Sequence, residues 1–247
     1  MVFMGTLFLV RHGQASFGAD DYDVLSPLGQ RQSIRLGNYF HARGLRFEAA
    51  LSGTLNRQIQ TLAGICEGMG MALESRTQPA AAPLRHRASE ASVALPHLLW
   101  PGLNEYDSAA VIGAIHPQPL ARPDTPELYR HHFRLLKAGL AQWMAGATRP
   151  QGMPDYAGFV AGIASALDHV REHHRGNVLL VSSGGPIATA VGHVLGTSPD
   201  TTIALNLRIR NSAVTEFEFN PKRHMLLTYN TLPHLDLPGH ADWVTYA

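Results

Sequence analysis

Short, unbroken apolar runs rich in β-forming residues constrain the fold of this chain more than any other feature. Residues 6–10 read Thr-Leu-Phe-Leu-Val, and residues 178–181 read Val-Leu-Leu-Val. A strand without a polar face is typically buried on both sides, as in a parallel sheet covered by helices. Helical periods alternate with these runs, most clearly at 159–170, where apolar side chains recur at i, i+4, i+7, i+8 and i+11. We therefore predict a three-layer α/β fold, with a mostly parallel central sheet and helices on both faces.

Helix starts and a proline-rich segment indicate how the chain is organised. Ser26-Pro27 and Thr125-Pro126 each combine an N-cap residue with proline at the first helical position, and Asp155 is a further N-cap candidate. Residues 78–126 contain repeated prolines and no regular period. A loop of this length inside a compact domain is usually functional. We expect one domain over 1–247, with an irregular insertion or lid at about 78–126 that includes short helical pieces.

Composition excludes several classes of protein. Hydrophobic residues make up 45% of the 247 residues and charged residues 16%, which excludes a disordered chain. The net charge of +1 argues against a nucleic-acid partner, and the single cysteine, Cys66, excludes an intramolecular disulfide and a cysteine-based metal site. No stretch approaches the ~20 apolar residues of a membrane helix, and residues 1–10 lack the basic start of a signal peptide. We expect a cytoplasmic protein without a membrane partner, and the sequence gives no indication of its oligomeric state.

A charged pair directly follows the first apolar run. Arg11, His12 and Gly13 come at the predicted carboxyl end of a buried strand, which is where open α/β sheets bind ligands. The Arg11 guanidinium is a planar set of donors suited to phosphate oxygens, and a neutral His12 has a free ring nitrogen that could attack phosphorus. The alternative is a surface Arg-His pair in a turn. The preceding strand favours the functional interpretation.

Two further segments offer an arginine and an acid. Arg57 follows a second predicted strand at residues 47–51 and lies in the first turn of a helix, where free N–H groups and the helix dipole favour an anion. Glu105 lies within the irregular segment, and a carboxylate beside a phosphate has its pKa raised, as a general acid requires. For a single residue, a solvated arginine or a solvated loop carboxylate is the commoner case. Asp107 competes with Glu105 for the same role.

Ser183 and Gly184 begin a glycine turn after the apolar run at 178–181. A strand, a glycine turn and a helix N-terminus together can form a phosphate site. The segment has neither the Gly-Lys-Ser/Thr of a P-loop nor the G-x-S-x-G of a nucleophile elbow. A tight strand-to-helix turn without a ligand is the alternative.

Taken in order, these segments resemble the histidine phosphatase superfamily, the phosphoglycerate-mutase-like fold. The Arg-His-Gly tripeptide at 11–13 is similar to the strand-end motif of the family. Residues 25–32 resemble its L-[ST]-x-x-G-x-x-Q helix start, and residues 57–61 resemble R-x-x-Q-T. Glu105 stands in an L-x-E context, and the turn at 183–185 resembles the segment that normally carries a second histidine. The resemblance spans about the whole chain.

The resemblance implies a phosphomonoesterase or mutase that works through a phosphohistidine. His12 would be the nucleophile, and Arg11 and Arg57 would hold the phosphoryl oxygens. Glu105 would protonate the leaving oxygen and later help to activate water. Two arginines and one acid suffice, because phosphoryl transfer needs mostly positioning and charge stabilisation. No metal or cofactor is implied, and the expected partner is a small phosphorylated substrate.

Three positions depart from the pattern of the family. Ser183 stands where the second active-site histidine usually lies, and serine donates one neutral hydrogen bond without a charge. We expect Ser183 and Gly184 to bind phosphate, although losing a charged donor commonly costs ~10²–10³ in rate. Gly18 replaces a frequent asparagine, and Ser-Gly-Thr at 52–54 replaces the usual serine-proline. We interpret these departures as features of a subgroup.

The function that we favour is a metal-independent phosphatase acting on a small phosphomonoester. A phosphate- or phosphoprotein-binding pseudoenzyme is the alternative that Ser183 raises. A mutase-type phosphotransferase is less favoured, because Tyr-Asp-Ser at 106–108 follows Glu105 where mutases carry an arginine and a Tyr-Gly pair. Arg-His-Arg at 85–87 could add positive charge near the substrate, or could form a solvated basic turn.

Overall fold

A computed structural model describes residues 4–16, 22–76, 94–120 and 125–246. These residues form one seven-stranded sheet from β1 (Gly5–Arg11), β2 (Ala49–Ser52), β3 (Leu73–Arg76), β4 (Leu95–Leu99), β5 (Asn177–Ser182), β6 (Val214–Asn220) and β7 (Arg223–Thr231). The order across the sheet is β3-β4-β2-β5-β1-β6-β7. The first five strands in this order pair in parallel, whereas β6 and β7 are antiparallel. The prediction of a mostly parallel sheet is confirmed.

Helices cover both faces of this sheet. They are α1 (Pro27–Ala42), α2 (Asn56–Met69), α3 (Ser108–Gly113), α4 (Pro126–Met144), α5 (Tyr156–His173), α6 (Gly184–Leu195) and α7 (Pro199–Asn206). Leu7 and Leu9 of β1 belong to a core formed with α4, α5 and α6, whereas Phe8 and Val10 belong to a second core formed with α1 and α2. Because alternate side chains of a strand point to opposite faces, β1 is buried on both sides and the predicted three layers are confirmed. In the described part of the chain, no helix combines the length and the apolar character needed to cross a membrane.

The predicted helix starts are capped as expected. The Ser26 hydroxyl accepts a hydrogen bond from the N–H of Gly29 at 3.0 Å. Thr125 caps α4 and Asp155 caps α5 in the same way. A side-chain oxygen at this position satisfies one of the N–H groups left free at a helix start, which explains why these three helices begin where they do.

The proline-rich segment at 78–126 contains more regular structure than expected. Strand β4 lies inside it and pairs in parallel with both β3 and β2, so the expectation of an irregular segment was wrong at 95–99. Pro96 in this strand has no N–H for the sheet, and prolines so placed predict a loop rather than an inner strand. The expected helical pieces are a 3₁₀ turn at Pro101–Leu103 and helix α3. Residues 77–93 and 121–124 lie outside the described residues.

Helices α1 and α2 pack at backbone distance, and this contact fixes the helix that carries Arg57. A Cβ atom on Gly37 would lie 2.1 Å from the carbonyl oxygen of Ile65, and one on Gly68 would lie 2.2 Å from that of Ile34. Only glycine leaves room for such an approach. The carboxyl-terminal half of α2 is thereby held against α1.

Candidate active site

The carboxyl ends of neighbouring parallel strands bring the predicted site residues together. Arg11 of β1 is in register with Ser182 of β5, and Val181 of β5 is in register with Ser52 of β2. The segments that follow these strands therefore meet at one edge of the sheet. A cavity of about 620 Å³ lies there, and Arg11, His12, Arg57 and Glu105 all line it.

The hydrogen bonds of His12 define its tautomer. Its Nδ1 lies 2.7 Å from the carbonyl oxygen of Gly13, and its Nε2 lies 3.3 Å from Nε of Arg57. A guanidinium N–H can only donate, so Nε2 of His12 is the acceptor and Nδ1 carries the proton that is donated to Gly13. Burial, together with the positive charges of Arg11 and Arg57, lowers the pKa of His12 well below its ordinary value. The imidazole is therefore neutral near pH 7, with its lone pair on Nε2.

The backbone around His12 is held by buried polar side chains. The N–H of Gly13 donates to Oγ1 of Thr61 at 3.0 Å, and the amide of Asn211 donates to the carbonyl oxygen of His12 at 3.3 Å. A Cβ atom on Gly13 would lie 2.4 Å from the carbonyl oxygen of Gly29, so this position requires glycine. These contacts give structural roles to the glycine at 13, the glycine of the helix-start motif and the threonine of R-x-x-Q-T.

Arg57 is held by an ion pair at the start of α2. Its Nη1 lies 2.7 Å from Oδ1 of Asp23, and Oδ2 of Asp23 accepts a hydrogen bond from the N–H of Asn56 at 2.9 Å. The guanidinium carbon of Arg57 also lies 5.5 Å from the ring centroid of Tyr22. The contact with the Tyr22 ring and the ion pair with Asp23 fix the guanidinium beside His12, as an anion-binding group requires.

Arg11 is almost fully buried, and it is held from the far end of the described chain. Its Nη1 donates to the carbonyl oxygen of Ile209 at 2.6 Å and also to that of Tyr246. Its buried Nε has no hydrogen-bond partner within the described residues. A buried charged donor without a partner is costly, and an anion in the cavity would satisfy it.

Glu105 is half-buried and reaches the cavity from the loop after β4. Its Oε2 accepts a hydrogen bond from the N–H of Gly185 at 3.1 Å, and its Oε1 accepts one from Tyr106 at 3.2 Å. Burial raises the pKa of Glu105 and outweighs these N–H groups and the charges of Arg11 and Arg57, which lower it. The side chain is therefore suited to hold a proton that a leaving oxygen could take.

The glycine turn after β5 leaves room for the carboxylate of Glu105. A Cβ atom on Gly185 would lie 2.2 Å from Oε1 of Glu105, so a side chain there would displace the acid. Asp107 also lines the cavity, but its Oδ1 caps α3 by accepting hydrogen bonds from Ala109 and Ala110. Of the two competing acids, Glu105 is the one that lies in the buried position.

Ser183 and Gly184 are buried and are not among the described residues that line the cavity. Oγ of Ser183 accepts a hydrogen bond from Nε2 of Gln58 at 2.8 Å. The same amide nitrogen donates to the carbonyl oxygen of Leu103 at 3.1 Å, two residues before Glu105. The phosphate-binding roles of Ser183 and Gly184 stay predictions.

Gln58 connects two of the departures from the family pattern. Besides its bond to Ser183, its Oε1 lies only 2.0 Å from where a Cβ atom on Gly53 would stand. Glycine in the Ser-Gly-Thr sequence therefore makes room for the glutamine, and the glutamine in turn occupies the space beside Ser183. The two positions thus share one neighbour, and their interpretation as features of a subgroup stays a prediction. The third position, Gly18, lies outside the described residues, as do residues 85–87.

Sequence reasoning missed Gln58, Asp23 and Asn211. Gln58 directly follows Arg57, and its adjacency to the predicted anion site was the available signal. Asp23 and Asn211 stand in no recognisable motif, and their partners come from distant parts of the chain. No group of three or more histidine, cysteine, aspartate or glutamate side chains within the described ranges could hold a metal ion.

Comparison with known proteins identifies the family. The chain matches the model of the histidine phosphatase superfamily (branch 1) over residues 7–82 and 75–232. It therefore belongs to this superfamily. The broad-specificity phosphatase YOR283W of Saccharomyces cerevisiae is 36% identical over 64 residues, which are 23% of this chain and 27% of the yeast protein. The chain thus matches about a quarter of the length of this curated relative.

Solved structures show the same fold at low sequence identity. Bacillus stearothermophilus YhfR has a TM-score of 0.61 and 16% identity, and the match covers 93% of this chain and 98% of that one. Phosphoglycerate mutase from Bacillus anthracis has a TM-score of 0.60 and 17% identity, with 94% and 96% covered. Phosphoserine phosphatase from Entamoeba histolytica has a TM-score of 0.59 and 18% identity, with 94% and 99% covered.

Proposed function

We propose that the protein is a metal-independent phosphatase that hydrolyses a small phosphomonoester through a phosphohistidine on His12. The observation that carries this proposal is the hydrogen bond from Arg57 Nε to His12 Nε2. This bond defines a neutral imidazole whose nucleophilic nitrogen lies in the cavity beside an anion-binding group. Membership of the superfamily and the phosphatase activity in the name of the yeast relative support the same conclusion.

In the first step, His12 attacks the phosphoryl group. Nε2 forms a bond to phosphorus with its lone pair as the bond from phosphorus to the leaving oxygen breaks. Arg57 and Arg11 donate to the equatorial oxygens, where charge accumulates in the transition state. Glu105 gives its proton to the leaving oxygen, so the alcohol departs uncharged and a carboxylate remains.

In the second step, water releases the phosphate. The Glu105 carboxylate accepts a proton from a water molecule whose oxygen attacks phosphorus. The bond between phosphorus and Nε2 of His12 breaks, and the electron pair returns to the imidazole. Glu105 is protonated again, and inorganic phosphate leaves the two arginines. In both steps Nδ1–H of His12 donates a hydrogen bond to the carbonyl oxygen of Gly13, so the ring keeps its orientation.

The experiment that tests this proposal is an acid-quench assay in excess EDTA. The protein is mixed with a phosphomonoester labelled in the phosphoryl group and is then tested for acid-labile, base-stable label. We expect transient label in the wild type and none in His12→Ala. His41→Ala is the matched control, because His41 is an exposed histidine at the end of α1 and should leave labelling unchanged.

Other outcomes would contradict the proposal in distinct ways. Label or turnover that persists in His12→Ala would show that His12 is not the nucleophile. Turnover that disappears with EDTA would indicate that the reaction needs a metal ion. Tight phosphate binding without label or turnover across a broad panel of phosphomonoesters would favour the binding-protein alternative. Phosphoryl transfer to an added alcohol in preference to water would favour a phosphotransferase.

A further inference from the structure

Aromatic side chains surround the cavity outside the phosphoryl-binding groups. Three tyrosines, Tyr22, Tyr129 and Tyr246, are 45%, 39% and 53% exposed, and all three line this cavity. Among the described residues, no other large aromatic side chain is exposed to this extent. An exposed apolar patch of this kind marks a ligand or partner site more often than chance exposure does.

The aromatic side chains and the anion-binding groups line the same cavity, and one of the rings touches an anion-binding arginine. The ring of Tyr22 lies against the guanidinium of Arg57 at 5.5 Å. Tyr129 and Phe133 lie one turn apart on α4, and their ring centroids are 4.9 Å apart with planes tilted by 41°. A group attached to a phosphate bound at Arg57 would therefore share its cavity with the rings of Tyr22, Tyr129 and Phe133.

The charges that the described residues contribute to the outer part of this cavity cancel. Beyond Arg11, His12, Arg57 and Glu105, the charged side chains in the described lining are Asp107 and Arg208, and both are exposed. This one acid and one base add no net positive charge for a second anionic group. A leaving group that carries a carboxylate would gain little there, whereas an uncharged ring would bury apolar surface.

We propose that the substrate is a phosphomonoester of an aromatic alcohol, with one or two rings that pack against Tyr129 and Phe133. This inference rests on the proposed function, because it places the phosphoryl group at Arg11 and Arg57. A cavity of about 620 Å³ is of the size that binds small organic ligands. Tyr129 and Phe133 are then specificity-determining residues.

Binding of non-hydrolysable phosphonates tests this selectivity without requiring turnover. Benzylphosphonate carries a ring, and 3-phosphonopropanoate carries a carboxylate on the same head group. By calorimetry we expect the wild type to bind benzylphosphonate about 5-fold or more tightly than 3-phosphonopropanoate. Tyr129→Ala should weaken benzylphosphonate binding by about 3- to 10-fold, which is the usual contribution of a ring–ring contact, and should leave 3-phosphonopropanoate unchanged. Tyr129→Phe should keep the wild-type preference.

A matched control and the opposing outcomes make the test decisive. Leu227→Ala removes an exposed apolar side chain on β7 that does not line the cavity, and it should change neither affinity. Equal or tighter binding of 3-phosphonopropanoate, a parallel loss of both affinities in Tyr129→Ala, or no binding of either ligand would overturn the proposal. Selective binding of benzylphosphonate without any phosphatase turnover would overturn the proposed function and leave the aromatic selectivity in place.

Discussion

Replacing Ser183 by histidine tests whether the site is an adapted one or a decayed one. Ser183 is fully buried, and its hydroxyl lies 2.8 Å from Nε2 of Gln58. An imidazole ring at 183 would need the space that the Gln58 amide occupies. Overpacking typically costs about 1–3 kcal/mol, and the lost hydrogen bonds of Gln58 to Ser183 and Leu103 add about 1 kcal/mol each. We therefore expect Ser183→His to lower the free energy of unfolding by about 3–5 kcal/mol, with equal or lower phosphatase activity.

The double variant supplies the control. Gln58→Ala removes as many heavy atoms as Ser183→His adds, and Ser182 still donates to the carbonyl oxygen of Leu103 at 2.6 Å. We expect Gln58→Ala/Ser183→His to be more stable than the sum of the two single changes by about 1–3 kcal/mol. Urea unfolding followed by tryptophan fluorescence measures all four proteins. Additive changes, or a single Ser183→His variant within about 0.5 kcal/mol of the wild type, would refute the reasoning. A large gain in activity would indicate a degraded site.

Three further predictions concern the acid, a backbone contact and a helix contact. The kcat/KM of the wild type should fall as pH rises through the raised pKa of Glu105, because the protonated acid is the active form. Glu105→Gln should lack this descending limb of the pH profile and turn over an alkyl phosphate about 10²–10⁴ times more slowly. A descending limb that is unchanged in Glu105→Gln would show that another group causes it. Thr61→Val should lower the free energy of unfolding by about 1–3 kcal/mol in urea, because the buried N–H of Gly13 loses its acceptor; unchanged stability would contradict this. Gly37→Ala should lower the free energy of unfolding by about 1–3 kcal/mol in the same assay. Gly113→Ala is the control and should be neutral or slightly stabilising, because a Cβ atom on Gly113 would have no neighbour within 4 Å. Equal effects of the two changes would show that the contact between α1 and α2 can relax.

Local rules predicted three helix starts and the strands β1, β2 and β5. Ser26, Thr125 and Asp155 cap the helices that they were expected to cap, because a cap depends only on the next few residues. Helix α7 carries the same Ser-Pro signature at Ser198 and could have been predicted by the same rule. Strand β4 could not, because its pairing on both sides outweighs the unfavourable Pro96, and such pairing involves residues distant in sequence.

The site could be predicted only in its outline. Arg11, His12 and Arg57 share one cavity because each lies at or after the carboxyl end of a strand of one parallel sheet, and the alternation of strands and helices in the sequence implies that arrangement. Glu105 joins them through strand β4, which that alternation did not predict. The contact of Gln58 with Ser183 joins residues 125 positions apart, and no local pattern predicts it. The aromatic lining likewise comes from four separate parts of the chain, around Tyr22, Tyr106, Tyr129 and Tyr246.

The partners of Arg11 set an order of events during synthesis. The carbonyl oxygens that accept from its guanidinium belong to Ile209 and Tyr246, and the second is 235 positions further along the chain. At a synthesis rate of about 5–20 residues per second, roughly 10–50 s pass between the addition of Arg11 and the addition of Tyr246. A nascent chain therefore displays the first strand and its histidine long before the adjacent arginine is held in place. Newly made molecules should gain activity in one late step, once Tyr246 has been added and can reach Arg11, rather than gradually as they lengthen.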